Sequence, residues 1–190
     1  MRLALFEGKR TLAEKGRSGI CPLCGVPVVA RCGEININHW AHESLNDCEG
    51  GEESEWHLGW KELFPIDCTE IIEENHRADV IYEGTVYEFQ TKPMDPREMN
   101  ARGQFWKERG YKFVWVLNTI GSRENFNFKI HPTFVTFRWK MAKRRLELVT
   151  DKVILDFGEN KMLELRRVHW GAPVGGWGIV TSPKKLFPKL

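Results

Sequence analysis

The pattern of apolar and polar residues predicts two helices, the first of them amphipathic, separated by short strands. The segment 51–64 has helical periodicity and ends at Pro65. Its apolar stripe consists of Trp56, Trp60, Leu63 and Phe64. The segment 95–110 begins with acidic residues and stops at a glycine, which predicts a second helix.

Strand-like runs lie between and after these helices. Three of them occupy 67–73, 77–82 and 85–91, with a tight turn "EGT" before the last. The run 111–118 is strongly apolar, which is typical of a strand buried on both faces. The order helix, three strands, helix, strand predicts an α/β core, and residues 121–190 read as a β-rich extension.

Composition adds limited information about function. The 190 residues are 42% hydrophobic, enough for a real core, and the net charge of +2 says little about partners. No apolar stretch approaches about 18 residues and no cleavage-type signal is seen, so we expect a cytoplasmic protein without membrane contact. Five cysteines in such a chain favour metal binding or plain burial over disulfides.

A cluster of cysteine and histidine residues near the N-terminus predicts a structural zinc site. Cys21 and Cys24 form a CxxC knuckle, which supplies two thiolates from one tight turn. The second pair of ligands must come from the segment 39–48. The preferred complete set is Cys21, Cys24, His42 and Cys48, with His39 as the alternative histidine. Because such a module buries few apolar residues, the zinc ion would supply much of its folding free energy.

A second candidate metal site involves acidic residues on two predicted strands. If the runs around "EGT" form a hairpin, Asp79 and Glu88 lie on neighbouring strands at similar height. Two carboxylates in that position would bind a hard divalent ion such as Mg²⁺, which would activate water for attack on a phosphate. Gln90 lies two residues after Glu88 and therefore shares its face of the strand.

The preceding helix carries a polar stripe that could serve the same site. Glu53, His57 and Lys61 recur every four residues, which predicts that all three lie along one helix face. Glu53 could reach the metal, and His57 could act as general base or contact a phosphate. Lys61 could offset negative charge in the transition state. The alternative is that the stripe is an ordinary solvated face and that the acidic residues are hairpin surface charges.

Five segments together resemble the competence protein CoiA-like nuclease family, a branch of the PD-(D/E)xK restriction-endonuclease-like fold. The segments are "CPLC", "HWAHESLNDC", "EESEWHLGWK", "RADVIYEGTVYEFQT" and "GYKFVWVLN", which cover about residues 18–118 in family order. The resemblance implies an α/β restriction-endonuclease-like core, a mixed sheet flanked by helices. An N-terminal zinc-binding module precedes this core and a β-rich C-terminal extension follows it. The expected domains are 1–50 for the N-terminal strands and zinc module, 51–120 for the core and 121–190 for the extension.

The resemblance also implies roles for individual residues. Asp79 and Glu88 would bind Mg²⁺ or Mn²⁺, supported by Glu53, His57 and Lys61. Gln90 is the family's form of the usual lysine, so the site is read as a variant and not as an inactive one. Glutamine keeps a donor but gives up the positive charge, which Lys61 or Lys92 could supply. Arg102 matches a family arginine that would contact the DNA backbone, as Lys92 could also do.

The sequence leaves two functions open. The first is a deoxyribonuclease that hydrolyses single- or double-stranded DNA, in DNA uptake and recombination or in genome defence, with a recombination or defence protein as a further partner. A homodimer would allow both strands of a duplex to be cut. The second is a non-catalytic nucleic-acid-binding accessory protein with a vestigial site. It is favoured by Gln90 and by the basic runs at 140–145 and 183–190.

Overall fold

The structure, a computed structural model, divides the chain into two compact units, Met1–Ile81 and Tyr82–Leu190. The residues that it describes are 1–43, 48, 53–92, 94–140, 150–169 and 173–189. Most of the basic run at 140–145, and the first two residues of the helix predicted at 51–64, lie outside the described residues. The division into three domains stays a prediction.

A small antiparallel sheet forms most of the first unit. Its strands, in spatial order β2-β1-β3-β4-β5, are β1 Leu3–Phe6, β2 Lys9–Leu12, β3 Ser18–Ile20, β4 Pro27–Arg31 and β5 His39–His42. The β1–β2 turn contains Glu7 and Gly8, both with positive φ, as a two-residue hairpin turn requires. A small buried cluster packs within this sheet among the described residues: Met1, Ala4, Ala13, Cys21, Val28 and Trp40. Because this cluster buries little apolar surface, a bound metal ion could supply part of the folding free energy of the sheet.

The first unit continues with a helix and a strand hairpin. Helix α1 spans Glu55–Glu62 and begins where the hydroxyl of Ser54 accepts a hydrogen bond from the backbone N–H of His57. Glu53 therefore precedes the helix, so the prediction that it lies on the helix face was wrong. Leu63, which was predicted to belong to the apolar stripe, is 47% exposed. Leu58, which was not predicted, is buried on the apolar face of the helix. Strands β6, Thr69–Glu73, and β7, His76–Tyr82, then pair antiparallel.

The second unit begins with the strand, helix and strand that the sequence pattern predicted, and its two strands run parallel. These elements are β8 Thr85–Gln90, α2 Pro96–Glu108 and β9 Lys112–Asn118. The side chain of Asp95 caps α2, Pro96 occupies the first turn, and Gly110 follows the helix with a φ of +85°. These local signals explain why both ends of α2 could be predicted within two residues.

The remaining strands extend this unit into a large mixed sheet. They are β10 Phe126–Ile130, β11 Val135–Trp139, β12 Lys152–Asp156, β13 Met162–His169 and β14 Val174–Thr181, followed by a short helix α3 at Pro183–Leu186. Within this unit the strand order is β10-β11-β14-β13-β12-β9-β8, with β8, β9 and β12 parallel and the other pairs antiparallel. The protein is thus a strand-rich α/β fold with a mixed sheet. A restriction-endonuclease core stays a prediction.

In the described ranges, none of the helices is both long enough and apolar enough to cross a membrane.

Candidate metal centres

The first candidate centre is the cluster of Cys21, Cys24, His42 and Cys48, whose ligand atoms all lie within 4.8 Å of one another. Cys21 directly follows β3, and the chain turns back through Gly25, whose N–H donates to the Cys21 carbonyl at 2.9 Å. A φ of +72° at Gly25 makes this tight turn accessible without strain. The turn therefore presents two thiols to the end of β5, which carries His42.

The distances and donor types of this cluster fit zinc. Two thiolates bound at about 2.3 Å to one tetrahedral zinc would have sulfurs about 3.8 Å apart. The Sγ atoms of Cys21 and Cys48 are 3.8 Å apart, and Cys24 Sγ lies 3.3 Å from His42 Nε2. Three sulfurs and one imidazole nitrogen are a common structural zinc set. The cluster could therefore bind zinc with no coordination position left open for catalysis.

The protonation preferences of two ligands also suit zinc, which requires a thiolate and a neutral imidazole. Burial would raise the pKa of the Cys24 thiol, but hydrogen bonds from the Val26 backbone and the neighbouring thiols outweigh it, and the pKa is lowered. Burial, together with nearby positive charge, lowers the pKa of His42. Both shifts favour the metal-binding form.

The structure separates the two histidines that the sequence left open. His39 begins β5, and its Nδ1 lies 2.9 Å from the Ile37 carbonyl oxygen, outside the four-residue cluster. Cys32 packs against the core beside the cluster and is not one of its members, and Cys68 precedes β6. Of the sequence candidates, His42 is the histidine brought to the cysteines.

The second candidate centre brings together Glu53, His57 and Asp79, again with ligand atoms within 4.8 Å of one another. Glu53 lies just before the cap of α1, His57 in its first turn, and Asp79 in the middle of β7. His57 Nε2 is 2.8 Å from Asp79 Oδ2. This distance suits either a hydrogen bond or two adjacent ligands of one ion. The donor set of two carboxylates and one imidazole suits Mn²⁺ and is also compatible with Mg²⁺.

Lys61 lies beneath these carboxylates with its side chain fully buried. Its Nζ is 2.8 Å from Glu53 Oε1, 2.9 Å from Glu70 Oε1 and 3.2 Å from Asp79 Oδ1. Because the ammonium is enclosed by three carboxylates, it holds them in place and does not reach solvent. We therefore read Lys61 as a positioning residue, which differs from the direct role considered at the sequence level.

Glu70 and Arg77 complete this buried network, and sequence patterns identified neither of them. The Glu70 carboxylate accepts hydrogen bonds from the backbone N–H groups of Arg2 and Leu3, at 2.6 and 2.8 Å. Its backbone has a φ of +52°, an uncommon conformation for this residue type. Arg77 precedes Asp79 by two residues in β7 and donates to Glu53 Oε1 at 2.8 Å. The only sequence signals were an acidic residue in the apolar run "TEII" and an Arg-x-Asp pair on one strand.

The charges of this network are nearly balanced. Burial would raise the pKa of Glu53, but the surrounding cations, led by Lys61, outweigh it and lower the pKa to about 2. The pKa of Glu70 is lowered in the same way, against the effect of burial, chiefly by Lys61. Both acids are therefore ionised at neutral pH. The three carboxylates of Glu53, Glu70 and Asp79 are offset by the two side-chain cations of Lys61 and Arg77 and by the amino group of Met1, 3.9 Å from Glu53.

One oxygen of Glu53 is buried without a hydrogen bond among the described residues. The Glu53 side chain is 5% exposed, and its Oε2 makes no hydrogen bond within the described part of the chain. The amino group of Met1 lies 3.9 Å from this oxygen, which is beyond hydrogen-bond distance. A buried carboxylate oxygen left without a partner is costly. A metal ion beside His57 and Asp79 would satisfy it.

The remaining predicted site residues lie in the second unit. Glu88 is 4% exposed in the middle of β8, and its Oε2 is 3.8 Å from Arg102 Nη1 on α2. The Gln90 amide Nε2 donates to the Lys92 carbonyl oxygen at 2.7 Å, and Lys92 itself is exposed. Arg102 is 18% exposed and lies next to carboxylates. The convergence of Asp79 with Glu88, and the contacts of Arg102 and Lys92 with DNA, stay predictions.

Comparison with known proteins identifies the N-terminal region. No curated protein and no solved structure matches the chain. The family model described as "Competence protein CoiA, N-terminal domain" matches residues 7–50, a segment that contains all four members of the cysteine and histidine cluster. This match supports the predicted resemblance of the N-terminal region to the CoiA-like family.

Proposed function

We propose that the protein is a metal-dependent deoxyribonuclease that hydrolyses phosphodiester bonds at the Glu53–His57–Asp79 centre. The observation that carries the proposal is the arrangement of this centre. Three potential ligands converge in one buried place, and the Glu53 oxygen there makes no hydrogen bond in the described part of the chain. Ion-pair networks that serve only stability usually satisfy every oxygen within the network. Glu88 would be a further ligand, as the resemblance to PD-(D/E)xK nucleases implies.

Each residue of the centre has a distinct role in this proposal. Glu53 and Asp79 would hold Mn²⁺ or Mg²⁺, which when bound would polarise the scissile phosphate and promote ionisation of a water molecule. The imidazole of His57, 2.8 Å from Asp79 Oδ2, could act as ligand or as general base. Lys61, Glu70 and Arg77 would fix the two acidic ligands in their orientation, a second layer on which metal sites commonly depend.

The family match supports a proposal for the biological setting. The matched family is named for competence, so we infer a role in the processing of DNA during uptake and recombination. A role in genome defence would use the same chemistry on different DNA. In either setting the cysteine and histidine cluster would be structural, because its four ligands complete a tetrahedral zinc site.

The test is cleavage of labelled single-stranded and duplex DNA with added Mn²⁺ or Mg²⁺. We compare the wild type with Asp79→Ala, and with Glu62→Ala as a matched control, because Glu62 is an exposed acid at the end of the same helix. Cleavage by the wild type and by the control, but not by Asp79→Ala, would support the proposal. Calorimetric titration with Mn²⁺ adds a readout without substrate, in which Asp79→Ala should bind the ion at least about tenfold more weakly.

A second candidate is a DNA-binding accessory protein without catalysis. It is favoured by the balance of charge, because Lys61 and Arg77 already neutralise most of the buried carboxylates. This protein would bind DNA in a salt-dependent manner with no effect of divalent ions. Absence of both Mn²⁺ binding and cleavage, with DNA binding retained, would favour it over the nuclease.

A further inference from the structure

An apolar pocket of about 200 Å³ opens on one face of the mixed sheet in the second unit. It is lined mainly by Phe128, Ile130, Val135, Phe157, Leu163 and Val180. The strand register places Ile130 opposite Val135, and Leu163 opposite Val180, so these pairs present their side chains on a shared face. None of the lining residues belongs to either candidate metal centre, so a role for this pocket does not depend on nuclease activity.

Two apolar residues that line the pocket are largely exposed to solvent. Ile130 is 82% exposed and Val180 is 54% exposed, while Phe128 and Phe157 beside them are only half-buried. Apolar groups that remain in contact with water gain nothing from the hydrophobic effect. Exposed apolar residues that line one concave pocket offer a surface on which a partner could bury an apolar side chain.

The charges at the rim of the pocket are positive. Arg123 holds its guanidinium over the rings of Phe128 and Phe157, 5.0 and 5.8 Å from their centroids. In the part of the chain that the structure describes, these ring contacts are the interactions that the Arg123 side chain makes. Lys161 lies on the other side of the lining and pairs with the exposed Glu159 at 2.6 Å. No carboxylate is among the described residues that line the pocket.

From this geometry we propose that the pocket binds one large apolar side chain from an acidic segment of a partner protein. The apolar lining would bury the side chain, and the Arg123 guanidinium, already fixed by two rings, would meet a flanking carboxylate. Charge complementarity therefore selects an acidic partner. A second copy of this chain is disfavoured, because a symmetric contact between two such pockets would bring Arg123 against Arg123.

The pocket suits other ligands less well. Its volume of about 200 Å³ is below the roughly 300–1,000 Å³ that small-molecule and cofactor pockets occupy. A nucleobase would need polar groups for its edges or a free ring for stacking. The lining offers almost no polar groups, and the Phe128 ring already stacks on Phe126 and carries Arg123.

The experiment measures fluorescence anisotropy of three fluorescein-labelled peptides, GDEDLFG, GKKKLFG and GDEDAAG, with the full chain loaded with zinc. We expect GDEDLFG to bind with a Kd at or below about 100 μM, and the other two to bind at least about tenfold more weakly. Ile130→Asp and Val180→Asp should each weaken GDEDLFG binding about tenfold. Ile179→Asp is the matched control, because Ile179 is also exposed but lies on the opposite face of β14.

The outcomes are separable from protein folding and from nuclease activity. Ile130 is almost fully exposed, so its substitution should leave the thermal unfolding midpoint and any DNA cleavage unchanged. Absence of saturable peptide binding up to about 1 mM would overturn the proposal, as would equal binding by Ile130→Asp and the wild type. If Ile130→Asp weakens only the binding of an oligothymidine probe, the pocket belongs to nucleic acid and the proposal is wrong.

Discussion

Replacing Lys61 with methionine tests the buried network on which the second metal centre depends. Methionine keeps an unbranched chain in the core and removes only the ammonium group. The substitution leaves Glu53, Glu70 and Asp79 facing one another with Arg77 as their remaining side-chain cation. The variant should therefore be much less stable than the wild type.

The size of this effect can be worked out in two ways. Removing one partner from a buried ion pair typically costs about 3–5 kcal/mol, because the remaining charge stays buried without compensation. The pKa of Glu53 points in the same direction: burial would raise it, but nearby cations, led by Lys61, lower it from 4.5 to about 2, a net shift of about 3 kcal/mol to which Lys61 contributes most among the cations. We expect Lys61→Met to lower the free energy of unfolding by about 3–5 kcal/mol at neutral pH.

The assay is urea unfolding of zinc-loaded protein, followed by tryptophan fluorescence, with no added manganese. Lys107→Met is the matched control, because Lys107 is half-exposed and pairs with the single carboxylate of Asp151 at 3.3 Å. Its loss should cost less than about 1 kcal/mol. A similar small loss in Lys61→Met would refute the reasoning, since the buried carboxylates would then not depend on the ammonium group.

Added Mn²⁺ distinguishes a metal centre from a purely structural network. If Glu53 and Asp79 bind the ion, Mn²⁺ replaces the lost positive charge and stabilises Lys61→Met more than the wild type. Lowering the pH toward 5 should also reduce the deficit, because the unpaired carboxylates can take up protons. Equal stabilisation of both proteins by Mn²⁺ would place the ion elsewhere.

Three further predictions concern the zinc cluster, acid stability and the mixed sheet. Cys48→Ala should lose zinc in a colorimetric release assay while Cys32→Ala retains it, and equal zinc contents would contradict the assignment of ligands. The pKa of Glu53 is lowered from 4.5 to about 2 on folding, so its stabilisation is present above about pH 4.5 and is lost as the pH falls toward 2. The difference in unfolding midpoint between wild type and Glu53→Gln should shrink across that window, and a constant difference would argue against the shift. A Cβ at Gly176 would collide with a backbone carbonyl of β13, so Gly176→Ala should cost at least about 1–3 kcal/mol. Gly121→Ala meets open space and should cost far less in the same urea unfolding assay, and equal losses would contradict the steric argument.

The elements that could be predicted from sequence are those with local signals at both ends. Helix α2 begins at an Asp-Pro pair and ends before Gly110, and β9 contains an apolar run at 113–117 that the structure buries. Helix α1 was placed too early, because the acidic run before it resembles a first turn. Its true start is Ser54, whose hydroxyl caps the His57 N–H, and Glu53 remains outside.

The two candidate centres differ in how far sequence reasoning could reach. The cysteines and the histidine of the first cluster lie close together in sequence, so spacing was enough to select the three cysteines, while the choice of His42 over His39 needed the structure. The buried network depends on contacts that are distant in sequence, such as Glu70 with the N–H groups of Arg2 and Leu3. No periodicity marks these pairs, so Glu70 and Arg77 became visible only in the structure.

The buried position of Lys61 also changes how the glutamine at position 90 should be interpreted. Many nucleases of the proposed type have a lysine there, and its charge would have to come from another group. Lys61 cannot supply this charge to a substrate, because its ammonium is enclosed by three carboxylates and its side chain is fully buried. The charge must instead come from the metal ion or from an exposed cation such as Lys92. The nuclease proposal therefore predicts a stronger dependence on the divalent ion than a site with its own exposed lysine would show.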